Sequence, residues 1–437
     1  MQYKLNLLSK VPVYNFKNNF FLLGIFFIPS SLLISLIFLF PCFIFGSFNR
    51  KNYFLDNFNC LLFLSGLLIT ISAFLQNFVF KNSYEDIYNS NLSLIGIANW
   101  LPLFWIFWAA QPFLNSKIKR KNFALALIFG TFPVIFTGFG QYFFKWYGPF
   151  EILNGLIIWY QKPIIAPAGL SGLFSNQNYA GTWLNLVWPF CIALILEKKD
   201  DFKNQLVSFI YLFSVGFAAF LTYSRNAWAG LITSFLILFG KKSLVWSLPI
   251  ILTLLIIIFL AVSTNIPPEI QNYVSNLIPD NILMELSAKG YEDLDITRTE
   301  ILLSGLRLIT LKPLFGFGAA SFTKIFESQT SFWKGHSHNL LIELAISYGL
   351  PVTIIIFSII TSLLIKSWRL IFYKKNNLLT DNIFDKAHWV SIFFFCGSQI
   401  VDIQYFDGKI SIVGWLLLAG LKMILSEEKR KKLKTFD

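Results

Sequence analysis

Gly335-His336-Ser337-His338-Asn339 runs directly into 340–365, and this junction decides how the chain is read. The run 340–365 is apolar and long enough to cross a hydrocarbon core of about 30 Å. The pentapeptide closes 263–337, the largest polar interruption in a very apolar protein. It carries two of the three histidines in 437 residues. Two titratable imidazoles therefore stand where a soluble loop meets a membrane helix.

The rest of the chain agrees with a membrane setting. Its hydrophobic fraction is 55%, and its fifty phenylalanines are more than a soluble core of this size can hide. Apolar runs of about 20 residues recur, the length of a membrane helix, and they lack the alternation of barrel strands. The fold class expected is all-α: a polytopic integral membrane protein of about 12 transmembrane helices. One long external loop carries short amphipathic helices. A net charge of +13 can signal nucleic acid, but here Lys and Arg gather in short loops between apolar runs. That placement is a topology signal, and no nucleic-acid partner is expected. The first apolar run is long and no small-residue cleavage site follows it, so no cleaved leader is expected. Cys42, Cys60, Cys191 and Cys396 lie in or beside apolar runs and read as free thiols, without disulfide or metal spacing.

Charge fixes the direction of each crossing. Lys4, Lys10 and Lys17 place the N-terminus inside. Arg50 and Lys51 do the same for 48–57, and Lys117, Lys119, Arg120 and Lys121 for 115–122. Glu85 and Asp86 mark 81–91 as external. The run 20–47 must then cross an even number of times, as a hairpin turning at Pro29-Ser30-Ser31. Further on, 145–176 is external, with Leu153–Ile158 expected as a short surface helix. Runs 177–196, 204–222, 225–239 and 244–262 alternate, 263–338 is external, and 339–365, 386–405 and 410–425 complete the bundle. Lys374 and Lys375 mark the inward end of the first of these. The organisation expected is a cytoplasmic N-terminus 1–19 and transmembrane segments 20–144 and 145–262. The external loop 263–338, transmembrane segments 339–425 and a cytoplasmic tail 426–437 follow. Within the long loop, Thr297-Arg298-Thr299-Glu300 offers a helix cap before Ile301, Leu302, Leu303, Leu306 and Ile309. Pro313 ends that helix and Gly316-Phe317-Gly318 turns the chain.

Topology sorts the candidates for chemistry. His336 and His338 share the external side, and His388 lies on the other. A His-x-His pair has no neighbouring Cys or His to complete a metal site, so no metal and no cofactor is expected. Two readings stay open for the pair. Both histidines can be interfacial loop residues, with Asn339 or Ser337 capping the next helix. Alternatively, the positive end of a helix dipole favours a neutral imidazole, and a neutral imidazole serves as general base. Arg225, in Thr222-Tyr223-Ser224-Arg225-Asn226-Ala227-Trp228, is either a snorkelling helix-end charge or a phosphate contact. Its turn is short, and external turns normally lack positive charge, which favours the second. Arg298, Arg307 and Lys312 suit water or lipid head groups. Asn178 follows Gly172-Leu173-Phe174-Ser175-Asn176-Gln177, a stretch that caps a helix or meets sugar hydroxyls. Asp402 and Asp407, around Gln404, orient a base or a sugar, or simply face water.

These pieces resemble the O-antigen ligase/polymerase superfamily of bacterial membrane glycosyltransferases. The matching stretches are 172–178 and Tyr223-Ser224-Arg225-Asn226-Ala227-Trp228, then Thr297-Arg298 with Pro313-Leu314-Phe315-Gly316-Phe317-Gly318. The last is His336-Ser337-His338-Asn339-Leu340 with Glu343 and Gly349-Leu350. Each is loose alone; four in order over about 170–355 are specific. Asn226 stands where many relatives have glycine. The resemblance implies a multi-pass protein of the bacterial inner membrane, both termini cytoplasmic, acting at the periplasmic face. It implies transfer of a glycan from undecaprenyl pyrophosphate to an acceptor hydroxyl, metal-independent and inverting. The acceptor would be a glycan or lipid A–core-like molecule, in lipopolysaccharide or polysaccharide biosynthesis. His338 would be the essential catalytic residue, with Arg225 and Arg298 on the pyrophosphate. His336, Asn178 and Asn339 are expected as further substrate contacts. Ligases, polymerases and protein O-glycosylating enzymes share the superfamily. Some relatives are proposed inorganic-carbon transporters, which leaves a bicarbonate-type transporter as the alternative.

Overall fold

Inside lipid, a backbone can satisfy its polar groups only within a helix or a closed barrel. The computed structural model is accordingly helical. It describes residues 11–48, 53–78, 90–165, 168–197, 202–263, 265–276, 278, 282–283, 296–373 and 382–434. The expectations resting on Lys4, Lys10, Arg50, Lys51, Glu85, Asp86, Lys374 and Lys375 lie outside the described residues, as does most of 277–295.

Eight of the described helices are long and apolar enough to span a membrane by length and composition. They are Asn57–Phe78, Leu92–Ala109, Lys117–Phe144, Gln177–Glu197, Lys203–Leu221, Val245–Val262, Leu350–Phe372 and Gly408–Lys431. The gap from the expected twelve has local causes. The run 20–47 is two helices, Val11–Phe27 and Leu32–Phe48, of 17 residues each. Arg225–Phe239 has 15 residues and Ile383–Ser398 has 16. The run 339–365 is also not one helix. It breaks at Gly349 into Leu340–Tyr348 and Leu350–Phe372. Gly349 has φ 89°, and Pro351 sits in the first turn beyond it.

The chain divides into two compact units. The first comprises Met1–Ala126, Ile296–Asn376 and Phe395–Asp437. In it, Ser35 Oγ donates to Gly24 O at 2.8 Å and pins the first two helices as an antiparallel pair. The helix Gly408–Lys434 carries polar ties at both ends. Near its start, Lys409 Nζ donates to Pro29 O at 2.9 Å. Near its end, Lys422 pairs with Asp56 at 2.6 Å and Glu427 with buried Arg120 at 3.0 Å. The eighteen residue steps from 409 to 427 rise about 27 Å, close to a hydrocarbon thickness. The Lys409 and Glu427 ties therefore lie about one hydrocarbon thickness apart along the helix. The last helix also runs on through 426–434, so the basic tail is helical to Lys434.

The helix Arg298–Leu311 opens with the capping box its sequence announces. Thr297 Oγ1 accepts from Glu300 N, and the Glu300 carboxylate accepts from Thr297 N at 2.7 Å. Its buried Ile301 and Leu308 join Phe322, Ile325, Phe326, Ile342 and Ile346 in one apolar cluster. This core binds it to Ser321–Thr330 and Leu340–Tyr348. Leu302, Leu303, Leu306 and Leu311 remain exposed.

The second unit comprises Leu127–Asp295 and Asn377–Phe394. Its helices Gln177–Glu197, Phe202–Leu221 and Arg225–Phe239 pack together. The surface helix expected at Leu153–Ile158 is absent. Phe150–Ile152 pairs antiparallel with Ile157–Trp159 instead. Leu153 and Asn154 take left-handed φ values of 55° and 54°, which ends any helix, and β-branched Ile157 and Ile158 suit a strand.

Candidate active site

The site begins with a cap. Asn339 Oδ1 accepts from the backbone N–H of Leu341 at 3.0 Å and of Ile342 at 3.2 Å. Asn339 Nδ2 donates to Ile400 O at 3.0 Å, and Leu340 N donates to Gln399 O at 2.9 Å. Asn339 thus starts the Leu340–Tyr348 helix and straps it to the 399–405 loop. The capping alternative holds for Asn339, and its amide is committed to that work.

Behind the cap the histidine stretch is held from below. Ser337 is buried, and its N–H donates to the buried Glu343 carboxylate at 2.9 Å. His338 adopts φ 54°, a left-handed conformation that costs about 1 kcal/mol or more for a residue with a Cβ. Its N–H turns back to His336 Nδ1 at 3.2 Å. The His338 ring then faces the opposing loop, with Nδ1 2.8 Å from Asp402 Oδ1.

Asp402 is held in turn. Gln404 Nε2 donates to Asp402 Oδ2 at 2.8 Å, and Gln404 is fully buried. Gln399 Oε1 accepts from the N–H groups of Gln404 and Tyr405, both at 2.9 Å. Arg298 Nη1 reaches Val401 O at 3.5 Å, which brings the guanidinium beside the same loop. Burial acts to raise the Asp402 carboxyl. The His338 hydrogen bond, with the charges of His338, His336 and Arg298, outweighs it and holds the group below its usual value. Asp402 is therefore the acceptor, and His338 Nδ1 carries the proton. The His338 Nε2 lone pair is left to take a proton from a substrate. His336 is different: burial, assisted by His338 and Arg298 against Asp402, pushes its imidazole down to about 4.

The structure thus gathers His336, His338, Asn339 and Arg298 of the expected residues, all in the first unit, and adds Asp402. Arg225 and Asn178 belong to the second unit. Arg225 is exposed at the first position of Arg225–Phe239, after Tyr223 at φ 52°. Asn178 is half-buried in the first turn of its helix, where Asn176 Oδ1 does the capping, from Tyr179 N at 3.0 Å. His388 is fully buried in that unit, edge-on to Phe190. The sequence showed no third ligand beside the two histidines, yet the structure supplies one: ligand-type atoms of His336, His338 and Asp402 lie within 4.8 Å of one another. Both Nδ1 atoms are engaged in the hydrogen bonds described.

The supporting role of Gln399 and Gln404 was not read from sequence. Their signal was three polar residues, Gln399, Asp402 and Gln404, set among apolar ones at the end of an apolar helix.

Residues 209–357 match the family described as O-Antigen ligase. This segment is similar to that family. It contains Arg225, Arg298, His336, His338, Asn339 and Glu343, and so three of the four motifs that carried the resemblance. Asn178 lies before it and Asp402 after it. No curated protein matches the chain. With this match among apolar helices of spanning length, the chain is a multi-pass membrane protein that carries a segment similar to the O-antigen ligase family.

Proposed function

We propose that the chain transfers a glycan from undecaprenyl pyrophosphate to an acceptor hydroxyl at the periplasmic face of the inner membrane. The observation that carries the reading is the His338–Asp402 pair at 2.8 Å beside Arg298. It lies at the mouth of a helix within the matched segment. His338 Nε2 takes the acceptor proton as the acceptor oxygen attacks the anomeric carbon. The bond from that carbon to the phosphate oxygen breaks, and its electron pair leaves on the pyrophosphate. Asp402 stabilises the imidazolium that forms, as an oriented carboxylate does for a general-base histidine. Arg298 neutralises the departing pyrophosphate. Arg225, in the other unit, is kept as a substrate-binding residue from the family resemblance alone. The displacement inverts the anomeric centre, needs no enzyme nucleophile and needs no metal. The acceptor is a glycan or lipid A–core-like molecule.

The test is a glycan profile of a deletion strain complemented with wild type or His338→Ala. Wild type restores the glycan product, and His338→Ala inserts normally but restores none. Product at wild-type level from His338→Ala would overturn the mechanism. Bicarbonate uptake with an unchanged glycan profile would give the transporter reading in its place.

A further inference from the structure

We infer that His336 is an acceptor-binding residue: its Nε2–H donates a hydrogen bond to a sugar oxygen next to the attacking hydroxyl. The inference rests on the transferase reading and assigns one side of its substrate. The argument is one of tautomers. A backbone N–H can only donate, so the N–H of His338, 3.2 Å from His336 Nδ1, requires a lone pair there. The neutral His336 ring must then carry its proton on Nε2. The His338 ring is set the other way. Its Nδ1 donates to Asp402 at 2.8 Å, so its Nε2 holds a lone pair.

The two rings stand 4.5 Å apart between centroids at 71° to each other. Both are half-buried. One ring therefore carries a donor Nε2 and its close neighbour an acceptor Nε2, the two functions that neighbouring oxygens of a polyhydroxylated sugar require. The burial that pushes His336 down to about 4 keeps the donor uncharged near neutral pH. An uncharged donor suits a hydroxyl or ring oxygen better than a pyrophosphate, for which a cation is the stronger partner.

In-line displacement assigns the side. The base sits with the attacking hydroxyl, and the pyrophosphate leaves from the opposite face of the anomeric carbon. A ring packed against the base therefore meets the acceptor.

Two substitutions separate this role from a merely structural one. In His336→Asn, Oδ1 can replace Nδ1 as acceptor for the His338 N–H, but the Nε2 donor is lost. In His336→Gln, the amide nitrogen can replace the Nε2 donor, but the loop contact is lost. The full chain is assayed in membranes with lipid-linked glycan and acceptor glycolipid extracted from the same cells. His336→Asn is expected to raise the acceptor KM about tenfold, the worth of one neutral hydrogen bond. The KM for the lipid-linked donor and the pH profile of kcat stay as in wild type, and His336→Gln recovers most of the acceptor affinity. The reverse order, with His336→Asn intact and His336→Gln impaired, overturns the inference and leaves His336 as a loop strut. A collapse of kcat with a changed pH profile in His336→Asn also overturns it, by making His336 the base. If both variants fail to fold, nitrogen-15 histidine NMR of the wild-type chain reads the tautomer directly. A proton on Nδ1 of His336 would sink the proposal. Failure of the transferase reading shows separately, as a deletion strain whose glycan profile is unchanged.

Discussion

At the scale of the residue, Asp402 decides what His338 can do. A carboxylate has only lone pairs to offer, so it fixes the proton on His338 Nδ1 and leaves Nε2 basic. In Asp402→Asn the amide can present N–H to Nδ1 instead, which moves the ring proton to Nε2 and removes the base. Transfer should fall by roughly 10²–10⁴-fold, with the KM for the lipid-linked donor nearly unchanged. Wild-type turnover by Asp402→Asn would remove Asp402 from the mechanism. His336 makes a second prediction, on pH. Its folded value of about 4 lies below the ordinary 6.5. Between those values the unfolded chain binds more protons, so stability is lost as pH falls from 6.5 and the loss ends near 4. The depressed Asp402 carboxyl also loses stability with acid, but below its ordinary 3.8, outside that window. Melting temperatures from pH 7.5 to 4.5 should therefore fall more steeply for wild type than for His336→Gln. Parallel curves would mean that His336 is not buried in its neutral form. Sequence placed both histidines at a helix mouth and Asp402 at a helix end. It could not pair them, because the pairing depends on Leu340 N–H meeting Gln399 O and Asn339 Nδ2 meeting Ile400 O across 60 residues.

At the scale of the element, the break at Gly349 shapes the scaffold behind the site. It ends the short helix at Tyr348, and the chain from 313 to 318 pairs with the freed end. Phe317 N donates to Ile346 O at 2.7 Å, Gly318 N to Ser347 O at 3.0 Å and Leu350 N to Pro313 O at 2.7 Å. A Cβ added at Gly349 would lie 2.1 Å from Leu314 O, and the φ of 89° is itself hostile to an L side chain. Gly349→Ala should cost about 2–4 kcal/mol through clash and backbone strain combined. Thermal unfolding in detergent, followed by fluorescence-detected size exclusion, would show a clear drop in melting temperature. An unchanged transition would mean that the 313–318 segment yields easily. The break was hard to read because 340–365 is apolar throughout, and hydropathy reports burial rather than continuity. Its local signal, Gly349-Leu350-Pro351, is a helix stop followed directly by a helix start. The Arg298–Leu311 helix was readable because its capping box is local in sequence. The Phe150–Trp159 hairpin had a local signal too, Asn154-Gly155 between two apolar stretches, which a reading by apolar content alone passes over.

At the scale of the whole molecule, periodicity and charge set an expected number and direction of apolar runs, but not which of them reach full length. The first pair shows why. Helices of 17 residues rise about 26 Å, a few Å short of a typical core. Charge demands that they cross twice; length alone permits a re-entrant loop. Within the first unit, Lys409 Nζ holds Pro29 O, and Lys409 follows the loop that carries Asp402. The turn at Pro29-Ser30-Ser31 therefore lies at the same end of the Gly408–Lys434 helix as the His338–Asp402 pair. Asp56 and Arg120, from loops that charge assigns to the cytoplasm, lie at the other end. The pair should consequently cross in full, with the bilayer thinned slightly at its edge. With the four native cysteines replaced, a single cysteine at Ser30 should react with a membrane-impermeant maleimide added to spheroplasts. A cysteine at Asn115 should react only after lysis. Protection of the Ser30 cysteine until lysis would make the first pair re-entrant and reduce the crossings by two. It would also keep the turn short of the face that carries a periplasmic site, in conflict with the Lys409–Pro29 bond.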